Sequence, residues 1–361
     1  MYLEHFGLQK PPFRITPDTH VFFEGSDRGA TLHALCYAIA TGEGITKVVG
    51  EVGTGKTMLC RMLPTTLGDD IDWAYLAHPS LSPEQILHEV ARELGLAVTE
   101  HSDKLTVMRQ LQATLLERHA SNRKVVVLVE EAQEMPLETL EELRLLSNLE
   151  TDEYKLLQIV LFGQPELDEK LAGRKIRPLR ERITHSLYLS PLQLQDIHAY
   201  LNFRIRACGY TGPDLFSIHV AKSIHRYSHG LIRRINILAD KALLAAYAKG
   251  SHNLNIGDIK KAARDSRYKP RRRWWPWPQA LAIGIIGTCL YSIMYPQESV
   301  AAESTEISIK QPYTVQGDRA TNLETRLTTA TIIPTTTTIK RTKPRYEQPL
   351  ELKSRTDHWN Y

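Results

Sequence analysis

Eight residues, Gly50-Glu51-Val52-Gly53-Thr54-Gly55-Lys56-Thr57, restrict this chain more than any other stretch. They read G-x-x-x-x-G-K-T, the pattern of a phosphate-binding loop. Ahead of them Thr46-Lys47-Val48-Val49 is a short β-branched run suited to a buried strand. Behind them Met58 to Leu63 reads as the first turns of a helix that ends before Pro64. Glycines at these positions let backbone amides close around phosphate oxygens, and a helix N-terminus adds its dipole. Lys56 is then expected to reach the β- and γ-phosphates of ATP, and the Thr57 hydroxyl to ligate Mg²⁺. A glycine-rich turn matching by chance is the competing reading; the strand and helix flanks speak against it.

A second stretch supplies acids at a matching distance. Lys124 leads an unbroken hydrophobic strand, Val125-Val126-Val127-Leu128-Val129, and Glu130-Glu131 end it. A central parallel strand delivers acids to the sheet edge beside the phosphate loop. Glu130 is expected to hold Mg²⁺ and Glu131 to act as general base on the attacking water. The bland alternative is two exposed acids ending a strand.

The rest of the first 190 residues alternates strands and helices, an α/β pattern. Residues 1–25, with Phe6, Pro11, Pro12, Phe13, Pro17, Phe22 and Phe23, read as an irregular strap packed over a core. Apolar positions Leu32, Leu35, Cys36 and Ile39 predict a helix over Arg28 to Ala40. Trp73 to Ala77 reads as a strand, and Ser82-Pro83-Glu84 opens a helix to about Leu94. Residues 103–119 and Leu137 to Leu149 are amphipathic helices, and Leu156 to Phe162 is a strand closed by Gly163-Gln164-Pro165. Gln164 fits a polar sensor between the acids and the γ-phosphate; it also fits a plain turn. The run from Arg174 to Arg182 is strongly basic, either a solvated face or an arginine offered to a neighbouring subunit's phosphate. After Ser190-Pro191-Leu192 the pattern turns all helical, over 193–208, 216–228, 231–248 and near 256–265.

These residues resemble a known family. Phe6, Pro12-Phe13 and Pro17-Asp18, the loop from Gly50 to Thr57, and Leu161-Phe162-Gly163-Gln164-Pro165-Glu166-Leu167 look like ExeA-type (general secretion pathway protein A) AAA+ ATPases. Arg180-Glu181-Arg182-Ile183-Thr184 and Gly230 to Asn236 extend the likeness, which covers residues 1 to about 268. The start Met1 to Leu8 and the helical part 191–268 resemble the branch associated with the mannose-sensitive haemagglutinin type IV pilus. The resemblance implies a P-loop AAA+ parallel-sheet core (1–190), a C-terminal helical lid domain (191–268), and work on a secretion or pilus machine at the inner membrane. By position it makes Arg233 the lid arginine that contacts the γ-phosphate. It makes Arg182 the finger acting in trans, with Arg180 as second choice. The family usually has Asp where this chain has Glu130, which bears on metal geometry and turnover, and often Pro where Ile232 stands. The family's namesake also carries a periplasmic peptidoglycan-binding domain, for which no counterpart is found here.

Beyond the lid the composition changes. Residues 269–278 combine Lys269, Arg271, Arg272 and Arg273 with Trp274, Trp275 and Trp277, and 279–296 is almost wholly apolar. A run of about 17 apolar residues is the short end of what spans a bilayer, with the tryptophans as interfacial belt. The basic flank puts the N-terminal domain in the cytoplasm. A buried core helix, or a basic cluster with stacking tryptophans for nucleic acid, are the alternatives. The Thr-rich residues 297–361 read as a mostly disordered periplasmic tail. A net charge of +4 is too mild to argue for nucleic acid, and Cys36, Cys60, Cys208 and Cys289 have no metal-ligand spacing.

The expectation is therefore an inner-membrane-tethered, homo-oligomeric ATPase using ATP and Mg²⁺, with pilus or secretion assembly proteins as partners. One rival is an ATP-binding scaffold with little turnover. Another is a DNA-binding ATP switch of the transposition type.

Overall fold

In the structure of the protein, a computed structural model that describes residues 2–270 apart from 43, 78 and 100, five strands form one sheet. They are β1 (Ile45–Gly50), β2 (Ile71–Leu76), β3 (Lys124–Val129), β4 (Gln158–Gly163) and β5 (Ile183–Leu189). Every pairing is parallel, in the order β2-β3-β4-β1-β5. A parallel sheet has both faces covered by crossover helices, so its inner strands read as continuous apolar runs. β3 and β4 are such runs, buried from Val125 and from Gln158 onward. The edge strand β5 instead alternates, with Thr184, Ser186 and Tyr188 facing outward.

Because strand side chains alternate, the sheet feeds two apolar layers. Val125, Val127 and Val129 join Ile159 and Leu161 on one face. There they pack under α4 (Pro83–Glu93), α5 (Lys104–Ala120), α6 (Leu137–Leu146) and α7 (Pro165–Leu171). Val126, Leu128, Val160 and Phe162 turn to the other face, under α2 (Arg28–Thr41) and α3 (Lys56–Thr66). Two further short helices are α1 (Tyr2–His5), which packs with the helices that follow the sheet, and α8 (Arg177–Arg180), just before β5. Four helices follow as a separate apolar cluster: α9 (Leu194–Arg206), α10 (Ile218–Ser228), α11 (Ile232–Tyr247) and α12 (Ile256–Asp265).

Local chemistry accounts for most of the ends. Ser82 caps α4 in a capping box with Gln85, with Pro83 in the first turn. Asp103 caps α5, and Asn255 forms a box with Asp258 at α12. Two expected ends move. α3 does not stop before Pro64 but runs to Thr66 with Pro64 inside it. Proline there forfeits the amide bond to Cys60 O, while further along the turn the Thr65 and Thr66 hydroxyls both donate to Met62 O, each at 2.8 Å. α6 ends at Leu146 rather than Leu149, where the Ser147 hydroxyl takes the carbonyl of Arg144 at 2.7 Å.

The strap is held by the lid cluster. Phe6, Leu8 and Phe13 bury their rings and side chain among α9 to α12. The buried Arg204 donates to Pro12 O (2.7 Å) and Val21 O (3.3 Å), and Tyr2 donates to Asp240 at 2.6 Å. Among the described residues no helix is long and apolar enough to cross a membrane. The expected span 279–296, the linker from 271 and the tail 297–361 lie outside the described residues.

Candidate active site

β1 hands the chain to the loop at Gly50, where there is no room for a side chain. A Cβ there would lie 2.8 Å from Thr54 Oγ1 and 3.0 Å from Leu189 O. Gly53 and Gly55 take φ of +85° and +109°, which L side chains rarely adopt. Thr54 is fully buried, and its amide and hydroxyl both donate to Glu51 O (3.2 and 2.9 Å), closing the turn. α3 then starts at Lys56 behind a glycine that offers no side-chain cap. Its first amides thus point into the loop, the arrangement that receives phosphate.

Lys56 is only 7% exposed and folds back on the loop, donating to Gly50 O (2.7 Å) and Glu51 O (3.2 Å). Burial pulls its ammonium below the usual lysine range, against the opposing pull of Glu131, Glu51 and Glu130.

Glu130 continues the ladder of β3, its amide donating to Leu76 O at 3.1 Å. Thr57 Oγ1 lies 3.4 Å from Glu130 Oε2, while Oε1 is buried with no hydrogen-bond partner among the described residues. Burial pushes this carboxyl up, and the hydroxyls of Tyr75 and Thr57 oppose that. A buried, unpartnered carboxylate oxygen beside a hydroxyl fits a hard divalent cation, whose ligands are oxygens.

At Glu131 the backbone turns left-handed, φ +50°, a strain of roughly 1–3 kcal/mol for a non-glycine residue. The turn brings its carboxylate toward the end of β4, where Gln164 Nε2 (2.9 Å) and Gln133 Nε2 (2.8 Å) both donate to Oε2. Gln133 is fixed in turn, accepting the Gln164 amide at 3.0 Å, while Lys170 donates to the Gln133 and Met135 carbonyls. Burial alone would raise the Glu131 carboxyl. The two amides, with Lys56 and Arg233, outweigh it and hold the group below the usual carboxylate range. Since β4 lies between β3 and β1, Gln164 sits between the acids and the loop.

The lid touches the loop directly. The Arg233 amide donates to Gly53 O at 3.2 Å, and a Cβ on Gly53 would stand 2.9 Å from that of Arg233. One cleft is lined by Val52, Lys56, Thr57, Glu131, Ile232 and Arg233. Arg14, Ile15, Thr16 and Pro17 of the strap line it too, positions to which the sequence reading gave no part in the site. Asn236, one turn along α11, ties the strap down by donating to Arg14 O at 3.3 Å. Gln133 and Arg28 were likewise missed; each is a single polar residue with no pattern around it.

Arg182 stands apart. It precedes β5, and its carbonyl lies near Gly44 at the start of β1, the edge of the sheet opposite the loop. Seven residues of parallel strand, roughly 20 Å, separate it from the Lys56 of its own chain. Arg180 is exposed and lies 4.0 Å from Glu181.

Residues 39–171 match the family model described as an AAA domain. Over 290 residues the chain is 39% identical to general secretion pathway protein A of Aeromonas hydrophila, covering 80% of this chain and 52% of that protein. The chain thus spans about half the length of that curated relative. Among solved structures, Cdc6p of Pyrobaculum aerophilum shares the fold at TM-score 0.54 and 17% identity, over 69% of this chain and 71% of that one. The ORC2 protein of Aeropyrum pernix does so at TM-score 0.52 and 20% identity, over the same shares of 69% and 71%. The loop that Lys56 closes therefore lies within the stretch that matches an AAA domain, and over 290 residues the chain is similar to general secretion pathway protein A.

Proposed function

We propose that this chain binds ATP between the sheet and the lid and hydrolyses it by attack of water on the γ-phosphate. The observation that carries this reading is Glu131, ionised and aimed across the end of β4 at the Lys56 side of the loop. Phosphoryl transfer needs little covalent help from protein, so positioning and charge stabilisation do most of the work.

The chain's own groups divide that work. The loop amides and the start of α3 receive the phosphates, and Lys56 leaves the Gly50 and Glu51 carbonyls to pair with them. Thr57 and Glu130 would hold Mg²⁺, which when bound neutralises charge on the phosphate oxygens. Glu131 gives up its amide partners to accept the proton of the attacking water, and Gln164, released by the same move, orients γ-phosphate or water. Arg233 carries the lid onto the γ-phosphate. Arg182, far from its own loop, serves the loop of a neighbouring copy, which makes the active form a homo-oligomer.

In the cell this cycle of ordering and release would drive assembly or positioning of a secretion apparatus, or of a mannose-sensitive-haemagglutinin-like type IV pilus, at the inner membrane. The apolar residues 279–296 would tether it with the ATPase part cytoplasmic. Steady-state ATPase measurement on the detergent-solubilised full chain tests the reading, with Lys56→Ala as the binding-deficient control. Turnover that Lys56→Ala abolishes supports it. Tight ATP binding without turnover would make the chain a scaffold. Turnover that rises only with DNA would make it a DNA switch.

A further inference from the structure

Arg28 opens α2 and is 3% exposed, a depth at which an arginine is almost never left without partners. Its position is forced by the turn before it. Ser26 and Asp27 take φ of +56° and +64°, and the Gly29 amide donates to Glu24 O at 2.9 Å. Among the described residues the guanidinium makes no ion pair; its hydrogen bonds all go to backbone carbonyls, from three segments. Nη1 donates to Ser26 O (2.9 Å), and Nη2 donates to both Thr54 O (3.0 Å) and Ser190 O (3.2 Å). Thr54 belongs to the phosphate loop, two residues before Lys56. Ser190 is the residue after β5, where the chain leaves the sheet for the lid.

A second path joins the same two places. The Leu192 amide donates to Gly230 O at 2.9 Å. Gly230 has φ +83°, and a Cβ there would fall 2.4 Å from Leu192 O, so the two backbones are in contact. Three residues on, the Arg233 amide reaches Gly53 O. Thr54, Arg28, Ser190, Leu192, Gly230, Arg233 and Gly53 thus form a closed ring of backbone contacts, with Arg28 its one side-chain link.

We infer that Arg28 is a positioning residue that couples the filling of the phosphate loop to the setting of the lid hinge at residues 190–192. The inference rests on the ATP-binding reading above. Phosphate entry takes Lys56 from the Gly50 and Glu51 carbonyls and resets the loop. Thr54 O is the loop carbonyl that a planar, rigid fork ties to the hinge. A lysine at this position keeps the charge but holds its partners through a flexible stem and a compact ammonium, so it would not pass on the displacement.

Hydrogen exchange of the full chain, with and without a non-hydrolysable ATP analogue, tests this. In the wild type the analogue slows exchange by about tenfold or more in residues 50–57, 190–193 and 229–233. Arg28→Lys still binds the analogue, within about fivefold, and protects 50–57, but the response at 190–193 is lost. Its kcat falls while KM stays near the wild-type value, a split that a merely destabilised loop would not give. Gly230→Ala strains the same hinge from the lid side without touching Arg28, and it loses the 190–193 response as well. A wild-type hinge response in both variants overturns the coupling, as does loop protection in the wild type with none at the hinge. No protection of 50–57 in the wild type overturns the ATP-binding reading and this inference together.

Discussion

Gln164 Nε2 and Glu131 Oε2 stand 2.9 Å apart, a hydrogen bond that joins the end of β4 to the acid after β3. Gln133 donates to the same oxygen, so the candidate base is engaged by two neutral donors in this state. Glu131→Gln should keep ATP binding and lose turnover by roughly 10²–10⁴-fold, the span attributed to a positioned acid or base. Gln164→Ala should lower kcat by about tenfold or more and leave KM little changed, because its amide acts at the reacting end of the nucleotide. Single-turnover hydrolysis and equilibrium nucleotide binding separate the two effects. An unchanged rate in Glu131→Gln removes the residue from the mechanism.

Glu130 places one more methylene than Asp would between β3 and the metal position, and its Oε1 is buried with no hydrogen-bond partner among the described residues. Mg²⁺ demands near-octahedral geometry at about 2.0–2.1 Å, so the longer side chain has to fold to reach it. Glu130→Asp is therefore expected to keep or raise turnover, and Glu130→Ala to lose rate and Mg²⁺ dependence together. Titrating Mg²⁺ against rate checks both. If Glu130→Asp proves as inactive as Glu130→Ala, the site is built around the longer acid.

Legibility followed how local each constraint is. The loop and the paired acids were readable because phosphate and metal chemistry need particular residues at fixed offsets. β3 and β4 were readable because both of their faces are buried, which writes the strand as one apolar run. The strap was not readable in place. Its prolines and aromatics have no period, and Arg204 meets Pro12 O across 192 residues of sequence. Arg28 escaped for the same reason, since it acts through backbone carbonyls that the fold alone brings near, and Gln133 because its tie to Gln164 spans 31 residues. The length of α3 escaped because Pro64 forfeits only the amide bond to Cys60 O, and the helix carries on past it to the Leu67 amide on Leu63 O.

Away from the site, Asp72 on β2 is clasped by Arg123 (Nε to Oδ2, 3.0 Å) and Arg118 (Nη1 to Oδ2, 2.7 Å). The hydrogen bond from Arg123, and after it the charge of Arg118, hold this carboxyl below its ordinary value against a partial burial that would raise it. A depressed folded-state value contributes stability above the unfolded-state value and loses it as pH falls through the folded one. Partly exposed pairs of this kind are worth roughly 0–1 kcal/mol. Asp72→Asn should cost about that much at pH 7, and the difference from wild type should close as the pH drops through the acidic carboxylate range. Urea unfolding at a series of pH values measures it; a gap independent of pH would rule out the ion pair as its source.

Arg182 cannot serve the loop of its own chain, with a whole strand between them. If it serves a neighbour, Arg182→Ala and Lys56→Ala are each inactive alone and recover part of the activity when mixed, since an intact finger then meets an intact loop. Random co-assembly in equal amounts should restore a measurable fraction, with the maximum near equimolar mixing. No recovery at any ratio, in subunits shown to co-assemble, counts against a shared site, and Arg180 is then the next residue to mix.

The last prediction concerns residues 269–296, where Lys269 and Arg271, Arg272 and Arg273 precede an apolar run and the first charge after it is Glu298. An arginine at the centre of a spanning helix costs about 2.5–3.5 kcal/mol on insertion scales, whereas flanking arginines stay among the headgroups. Ile286 is near the middle of the run. Ile286→Arg should release much of the full chain from the membrane fraction and leave nucleotide binding intact, because the loop, acids and lid all precede residue 269. Replacing Arg271, Arg272 and Arg273 with Gln should weaken the orientation bias and hardly change turnover. A reporter fused after Tyr361 that is active only in the periplasm reads the orientation directly. A cytoplasmic reading from that fusion, with the ATPase part also cytoplasmic, would mean that the run does not cross, and the basic cluster would then face solvent, where DNA could reach it.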